Sequence, residues 1–470
     1  MAHDRPKKSH GKSSRNPNAR ERTSSEGASR RPRAETAERS RAAVGPSLLR
    51  DGTQVLTEAL AFQSPADTVL RTFFRTHPKL GRRDRGLIAE SVYAVLRRLS
   101  SYRVLAEDPK PRRLFLLGVR HHLRTLNRPL DVAASPAELD WLEHAPHELP
   151  PDAPLEVRAE LPEWIVANLR LTMSDEEILA LGIGMQAPAP LDLRANTLMI
   201  QPADLVAQLA ASGIAAETTS YSPLGVRVEG KPALEQNELF ASGAIEVQDE
   251  GSQLLGFLLA PRRREMVADF CAGAGGKTLL LGAMMRSEGR LYAFDVSSAR
   301  LQRLRARVAR SGLSNVQAEV VSSERDPRFK RLAGKIDRVL VDAPCTGLGT
   351  LRRNPDLKWR QNPTDLADLR EKQRRILSAA AKLLKPGGRL VYATCSILTD
   401  ENDAVVDDFL GTHPQFRALD CQRLLAEQSI VLDCGERLRL LPHLHRTDGF
   451  FAAAFERVRE APDALPDTER

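Results

Sequence analysis

The stretch Asp269-Phe-Cys-Ala-Gly-Ala-Gly-Gly-Lys-Thr278 closes on the Gly-Lys-Thr of a phosphate-binding loop. A Walker A loop also requires a glycine five residues before that Gly-Lys-Thr, because both ends of its turn take backbone angles that side chains obstruct. Cys271 occupies the position. The dinucleotide fingerprint G-x-G-x-x-G begins at Gly273 and Gly275 but meets Thr278 where its third glycine belongs. What remains is an apolar run, Met266-Val-Ala-Asp-Phe270, a glycine-rich turn, and a helix-compatible run from Thr278 to Met285. This pattern predicts a strand, a loop whose backbone a ligand can approach, and a helix N-terminus.

Working outward, strand-like runs recur at Leu291 to Val296, Ala318 to Val321, Ile336 to Ala343 and Arg389 to Thr394. Helical runs lie between them near Thr278 to Arg286, Ala299 to Ser311 and Thr364 to Leu384. Such alternation predicts an α/β domain over 251–460, with a parallel sheet and ligands bound beyond the carboxyl ends of its strands. Ahead of it, 45–150 shows apolar residues at helical spacing, such as Val55, Leu56 and Ala59 or Ile88, Val92, Val95 and Leu96, and ends at the Pro-rich Leu149–Pro154. Between the two, 155–250 reads as a small α+β module suited to positioning a substrate.

The chain has 470 residues, 42% of them apolar, enough for two or three domains. It shows neither an eighteen-residue apolar run nor a signal-peptide core, which predicts a soluble cytoplasmic protein with no membrane partner. Its five cysteines include no C-x-x-C pair, which argues against a disulfide framework or a metal site. Residues 1–44 hold 12 Lys or Arg against 5 Asp or Glu, nearly the whole net charge of +8. Rich in Ser, Arg and Pro, this basic tail is expected to be disordered, either a solubilising extension or an arm that attracts RNA.

The strand ends carry the chemistry. Gly273, Gly275, Gly276 and Lys277 follow the first, Asp295 ends the second, Asp342, Pro344 and Cys345 follow the fourth, and Cys395 the fifth. Asp295 suits the hydroxyls of a ribose, or alternatively the N-cap of the next helix, a place Ser297 or Ser298 can also take. A single cysteine at a strand end is more often a small buried residue than a nucleophile. Two on strands that would be neighbours favour thiolate chemistry.

Asp269-x-Cys271-Ala272 with Gly275-Gly-Lys-Thr278, Asp342-Ala-Pro-Cys345-Thr-Gly347-x-Gly349, Arg353-x-Pro355-Asp-x-Lys-Trp359 and Tyr392-Ala-Thr-Cys395-Ser396 together resemble the RsmB/Sun family of RNA (cytosine-5) methyltransferases. Arg194-Ala-Asn-Thr197, Val247-Gln-Asp249 with Ser252-Gln253, and Asp448-Gly-Phe-Phe451 extend the resemblance over roughly 160–457. It implies a class I, Rossmann-like methyltransferase sheet, an N-terminal all-helical, NusB-like RNA-binding domain over 45–150 and a small α+β RNA-binding module. It also implies S-adenosyl-L-methionine as cofactor, held by Cys271, Ala272, Gly273, Ala274, Gly275, Gly276, Lys277, Asp295, Ser323 and Asp342. Cys395 would be the nucleophile, Cys345 would assist release, and Asp342 would meet the cytosine, although Pro344-Cys345 also resembles the nucleophile motif of DNA cytosine-5 methyltransferases. The implied partner is RNA, most naturally that of the small ribosomal subunit, acted on by a monomer. Arg352, Arg353, Lys358 and Arg360 around Trp359 are expected to grip flanking phosphates, and Arg262 to Arg264 to face RNA. Two departures stand out: Ala272-Gly273-Ala274 replaces the family's Ala-Ala-Pro, and Ser322 or Ser323 replaces the aspartate that meets adenine. They motivate a second hypothesis, an RNA-binding assembly factor with decayed catalysis; a third is a methyltransferase acting on transfer RNA or DNA.

Overall fold

Residues at helical spacing in the N-terminal region become the buried faces of six α-helices: Pro46–Ala59, Ala66–Thr76, Arg82–Arg97, Leu99–Leu105, Pro111–Thr125 and Pro136–His144. Val55, Leu56, Ile88, Val92, Val95 and Leu96 are fully enclosed there. This computed structural model describes residues 44–230 and 232–459, so the basic tail lies outside the described residues except for Val44. No helix among the described residues is long and apolar enough to cross a membrane.

Four short strands follow: β1 (Leu191–Ala195), β2 (Ala216–Thr218), β3 (Gly225–Val228) and β4 (Ile245–Val247). They form an antiparallel sheet in the order β2-β3-β1-β4, and the helix Pro202–Ala211 contributes Leu205 and Leu209 to its core. The helix after β4, Glu250–Leu259, is not among the expected elements. Every one of its residues is buried, so it lacks the polar face that marks an amphipathic helix in a sequence.

The larger sheet holds β5 (Met266–Asp269), β6 (Arg290–Asp295), β7 (Val316–Val320), β8 (Ile336–Asp342), β9 (Leu384–Thr394), β10 (Phe416–Leu419), β11 (Leu438–Leu440) and β12 (Phe450–Arg457). Its central order is β7-β6-β5-β8-β9, all parallel as the βα alternation predicts. β12 pairs antiparallel with β9, and β10 and β11 pair antiparallel with β12, an extension that the alternation does not announce. From β5 the chain winds one way through β6 and β7, then crosses back to β8 and β9. The reversal leaves a crevice at the carboxyl ends of β5 and β8.

The described residues from Gly45 onward form one compact unit. The segment expected to grip RNA phosphates is part of what joins it. Lys358 Nζ donates to Arg97 O (2.9 Å), Trp359 Nε1 donates to Leu96 O (3.3 Å), and Arg97 donates back to Arg352 O (3.2 Å). The Arg103 guanidinium lies 5.6 Å from the Trp359 ring. Arg352 donates to Thr447 O and Pro188 O, Arg353 pairs with both Asp249 and Asp448, and Arg360 pairs with Asp356. These cations are internal fasteners. Arg263 and Arg264 remain exposed and share Glu288.

Lys358 is only 4% exposed, and burial pushes its ammonium from 10.5 down to about 8. Below pH 8 the group is charged in both folded and unfolded chains, and folding bears the full cost of desolvating it. As pH rises from 8 towards 10.5 the folded chain sheds the proton first, so that cost disappears. Relative to Lys358→Met, the wild type should therefore gain about 3 kcal/mol of stability across that window. Denaturant unfolding at a series of pH values measures the difference; a pH-independent one excludes the buried ammonium.

Candidate active site

The loop after β5 sits at the crevice. Gly275 adopts φ 89°, and a Cβ there would lie 2.0 Å from Leu304 Cδ1, so both conformation and space require glycine. The Gly273 N–H donates to Asp295 Oδ2 (2.8 Å), while Asp295 Oδ1 accepts from the Ser297 N–H (2.7 Å). Ser297 Oγ accepts from the Arg300 N–H and so caps the following helix, which leaves Asp295 to the loop. Arg307, held by Glu246 (2.7 Å), donates to Ala274 O (2.7 Å) and ties the loop from outside. At the root of the loop Thr278 Oγ1 donates to Asp269 Oδ2 (2.7 Å). The other Asp269 oxygen is buried without a partner, and burial pushes this carboxyl up to about 7.

Across the crevice Lys277 Nζ donates to Asp342 Oδ2 (2.7 Å) and lies 5.6 Å from the Phe450 ring. Burial works against the ammonium, but Asp342 above all, and Cys395 with it, hold it charged beyond the usual lysine range. β8 and β9 are paired in register with Asp342 opposite Ala393, so Cys345 and Cys395 leave adjacent strand ends. Their sulfurs are 3.3 Å apart, both thiols free and half-buried. Contact with Cys395 first, then burial, raises the Cys345 thiol well above its ordinary value. Either thiol can be the donor of the pair.

Buried Glu401 fixes the Cys345 turn. It accepts from the Thr346 N–H (2.9 Å), Thr346 Oγ1 (2.5 Å) and Gln373 Nε2 (2.9 Å), and Gln373 also donates to Pro344 O (2.9 Å). On the other side the Gly349 N–H donates to Cys395 O (2.8 Å). A Cβ on Gly349 would lie 2.1 Å from Gly449 O, so this crossing of two chain segments admits only glycine.

A cavity of about 760 Å³ opens between these elements. Its wall contains Cys271, Ala272, Gly273, Ala274, Gly275, Gly276, Lys277, Asp295, Ser323, Asp342, Cys345 and Cys395, bringing every residue expected at the site to one place. A methionine-derived cofactor fits this lining. The unpartnered Asp269 oxygen matches an ammonium, three carboxylates favour a sulfonium cation, and a Cβ at Gly273 or Gly276 would meet open space, so the loop backbone is accessible to a ligand. Ser323 Oγ accepts from the Arg325 N–H (3.1 Å), whereas Ser322 turns to Asp326. Burial first, then Asp269, keeps the Cys271 thiol protonated, which makes it a packing residue of the loop. Arg307, Glu401 and Phe450 were not expected at the site. Each reaches it from a distant part of the chain; Arg307 and Glu401 carry no local motif, and the Asp448–Phe451 motif that holds Phe450 does not reveal its place beside Lys277.

Fold and site together define a class I methyltransferase dependent on S-adenosyl-L-methionine. The family model described as 16S rRNA methyltransferase RsmB/F matches residues 256–456, and that of the RsmF/B-like ferredoxin-like domain matches 161–235. The chain is 35% identical over 298 residues to a probable ribosomal RNA small subunit methyltransferase B of Synechocystis sp., covering 63% of this chain and 67% of that protein. It is 36% identical over 307 residues to the ribosomal RNA small subunit methyltransferase B of Sodalis glossinidius, covering 65% and 68%. Among solved structures, PH0851 superposes with a TM-score of 0.68 at 24% identity, covering 86% of this chain and 98% of that one. A methyltransferase homolog protein from Pyrococcus horikoshii gives 0.55 at 28%, covering 69% and 100%. The chain belongs to the RsmB/F methyltransferase family.

Removing the Asp295 carboxylate frees Gly273 and the Ser297 turn together. Asp295→Ala should raise the Kd for S-adenosylmethionine at least ~10-fold, the scale of a charge-assisted hydrogen bond. Isothermal titration calorimetry decides it, and an affinity within twofold of wild type would remove Asp295 from cofactor binding.

Proposed function

We propose that the protein methylates carbon 5 of a cytosine in RNA, most naturally small-subunit ribosomal RNA, through a covalent adduct on Cys395. The observation that carries this reading is the pair of free thiols 3.3 Å apart in the wall of the cofactor cavity. RNA as substrate is supported by the names of the relatives, which describe ribosomal RNA methyltransferases.

Carbon 5 of cytosine is a poor nucleophile until a thiolate adds at carbon 6 and makes it enamine-like. Cys395 takes that part: its sulfur lies 3.3 Å from the Cys345 sulfur and near the Lys277 ammonium, a cation that stabilises negative charge developing there. Bound beside Asp269, Asp295 and the glycine loop, the cofactor supplies an electrophilic methyl group on its sulfonium. Asp342 gives one oxygen to Lys277, and its other oxygen serves the amine edge of the base. Release needs loss of the carbon 5 proton and departure of the Cys395 thiolate. Cys345, held protonated by its surroundings, gives its S–H proton to that leaving sulfur and takes the carbon 5 proton in exchange, so the ring regains its double bond and no proton is left over. The cytosine must be unpaired or turned out of its stack to reach the thiols, at a cost of a few kcal/mol when it starts paired.

With labelled cofactor and small-subunit ribosomal RNA, the wild type should yield 5-methylcytosine. Cys395→Ala should lose at least ~10³-fold of the turnover, as expected for a nucleophile. Cys345→Ala should instead accumulate an RNA–protein adduct that survives denaturing electrophoresis. Label confined to adenine, or an adduct formed by Cys395→Ala but not by Cys345→Ala, overturns the assignment.

A further inference from the structure

We propose that a cleft between the helical region and the helix Asp175–Gln186 binds phosphodiester groups of the RNA, gripped by Arg98, Arg124 and Arg158. The inference rests on RNA being the substrate and adds a second point of attachment. The cleft has a volume of about 300 Å³ and shares no lining residue with the cofactor cavity.

Its wall is cationic from several directions. Arg98 follows the helix Arg82–Arg97, Arg120 and Arg124 lie one turn apart on Pro111–Thr125, His147 comes from the connection beyond the helical region, and Arg158 ends the short helix Leu155–Arg158. No carboxylate lines it. Arg120 donates to Leu142 O (2.8 Å), Ala145 O (3.1 Å) and Pro146 O (3.1 Å), neutral acceptors that leave its charge uncompensated. Arg124 donates to the His147 ring (3.2 Å), again without neutralisation. Glu160, close by, gives both oxygens to the backbone N–H groups of Ser100 and Ser101 (2.9 Å each). The positive field registers on His121: burial most of all, then Arg98 and Arg97, drive its pKa down to about 4, leaving a neutral ring.

An enzyme acting on a polyanion needs cations that its own acids and carbonyls do not consume. In the segment around Trp359, Arg353 and Arg360 are paired with carboxylates, and Arg352 and Lys358 are spent on backbone carbonyls. In the cleft Arg120 is likewise held by backbone carbonyls, whereas Arg124 meets the His147 ring and no carboxylate lines the wall. Guanidinium forks match phosphate oxygens in pairs, and a slot of this size admits phosphate groups more readily than a folded protein segment.

The test uses the full chain and a fluorescein-labelled transcript of small-subunit ribosomal RNA. Replacing Arg98, Arg124 and Arg158 by Ala together should raise the RNA Kd at least ~10-fold at physiological salt and flatten the dependence of log Kd on log salt by about 2, the loss of three phosphate contacts. S-adenosylmethionine affinity should not change. An RNA Kd within twofold of wild type together with an unchanged salt slope overturns the proposal. Retained RNA affinity with lost binding of inorganic phosphate also overturns it, since the cleft would then hold a small anion. Should the triple variant fail to fold, Arg158→Glu, an exposed substitution, should alone weaken RNA binding several-fold, and an unchanged Kd again counts against the cleft. These readouts need no turnover. Absence of methyl transfer by the wild type, measured on the same transcript, counts against the proposed function and leaves the binding result standing.

Discussion

The site depends on β8 and β9 lying side by side, parallel, with Asp342 opposite Ala393. Because both chains leave the sheet at the same end, the turn after each strand delivers one cysteine, and the two sulfurs come within 3.3 Å. A slip of one residue in this pairing would turn the side chains of one strand to the other face and part the thiols. The register is held on several sides. β12 pairs along the far edge of β9, Glu401 gathers Thr346 and Gln373 around the Cys345 turn, and the Gly349–Gly449 crossing ties the Cys395 backbone to its neighbour. Tyr392, fully buried within β9, donates its hydroxyl to Glu401 O (2.7 Å) and links the strand to the same network.

Charge inside the crevice is opposite in sense to the charge of the whole chain. A protein of net charge +8 places Asp269, Asp295 and Asp342 around one cavity, with Lys277 between Asp342 and Cys395. The carboxylates favour a cationic ligand, while Lys277 keeps positive charge beside the Cys395 sulfur. In a partly desolvated site these interactions are several times stronger than in water, so a few fixed charges outweigh the global balance. Asp269 shows the cost of the arrangement: one of its oxygens is buried without a partner, and burial pushes its pKa to about 7.

The central sheet was legible because β5 to β9 are apolar runs separated by helices, and their ends carry residues whose chemistry is unmistakable in a row: glycines, Asp295, Asp342, Cys345 and Cys395. The helix Glu250–Leu259 was not, because burial on all sides erases the polar face that gives a helix its period. Arg307 and Glu401 were hidden for another reason. Their partners Ala274 and Thr346 lie 33 and 55 residues away in sequence, and no spacing rule reaches that far. The cations around Trp359 were misread on the same account. A run of Arg and Lys resembles a solvated surface, and only the fold reveals that Lys358 meets Arg97 from 261 residues away.

That misreading bears on how RNA is handled. Arg97 is tied to Arg352 O and to Lys358, in the chain segment between the Cys345 turn and the helix Pro363–Ala381, while the next residue, Arg98, lines the basic cleft. One short stretch of backbone therefore connects the proposed phosphate grip to the methyltransferase domain. For a methyl transfer that must orient one nucleotide of an RNA, a fixed spacing between anchor and site converts binding energy into orientation, since the entropy of placing the nucleotide is lost when the backbone docks rather than at the chemical step. Fasteners that touch no substrate, such as Lys358 and Trp359, then matter to the reaction through the distance they keep constant.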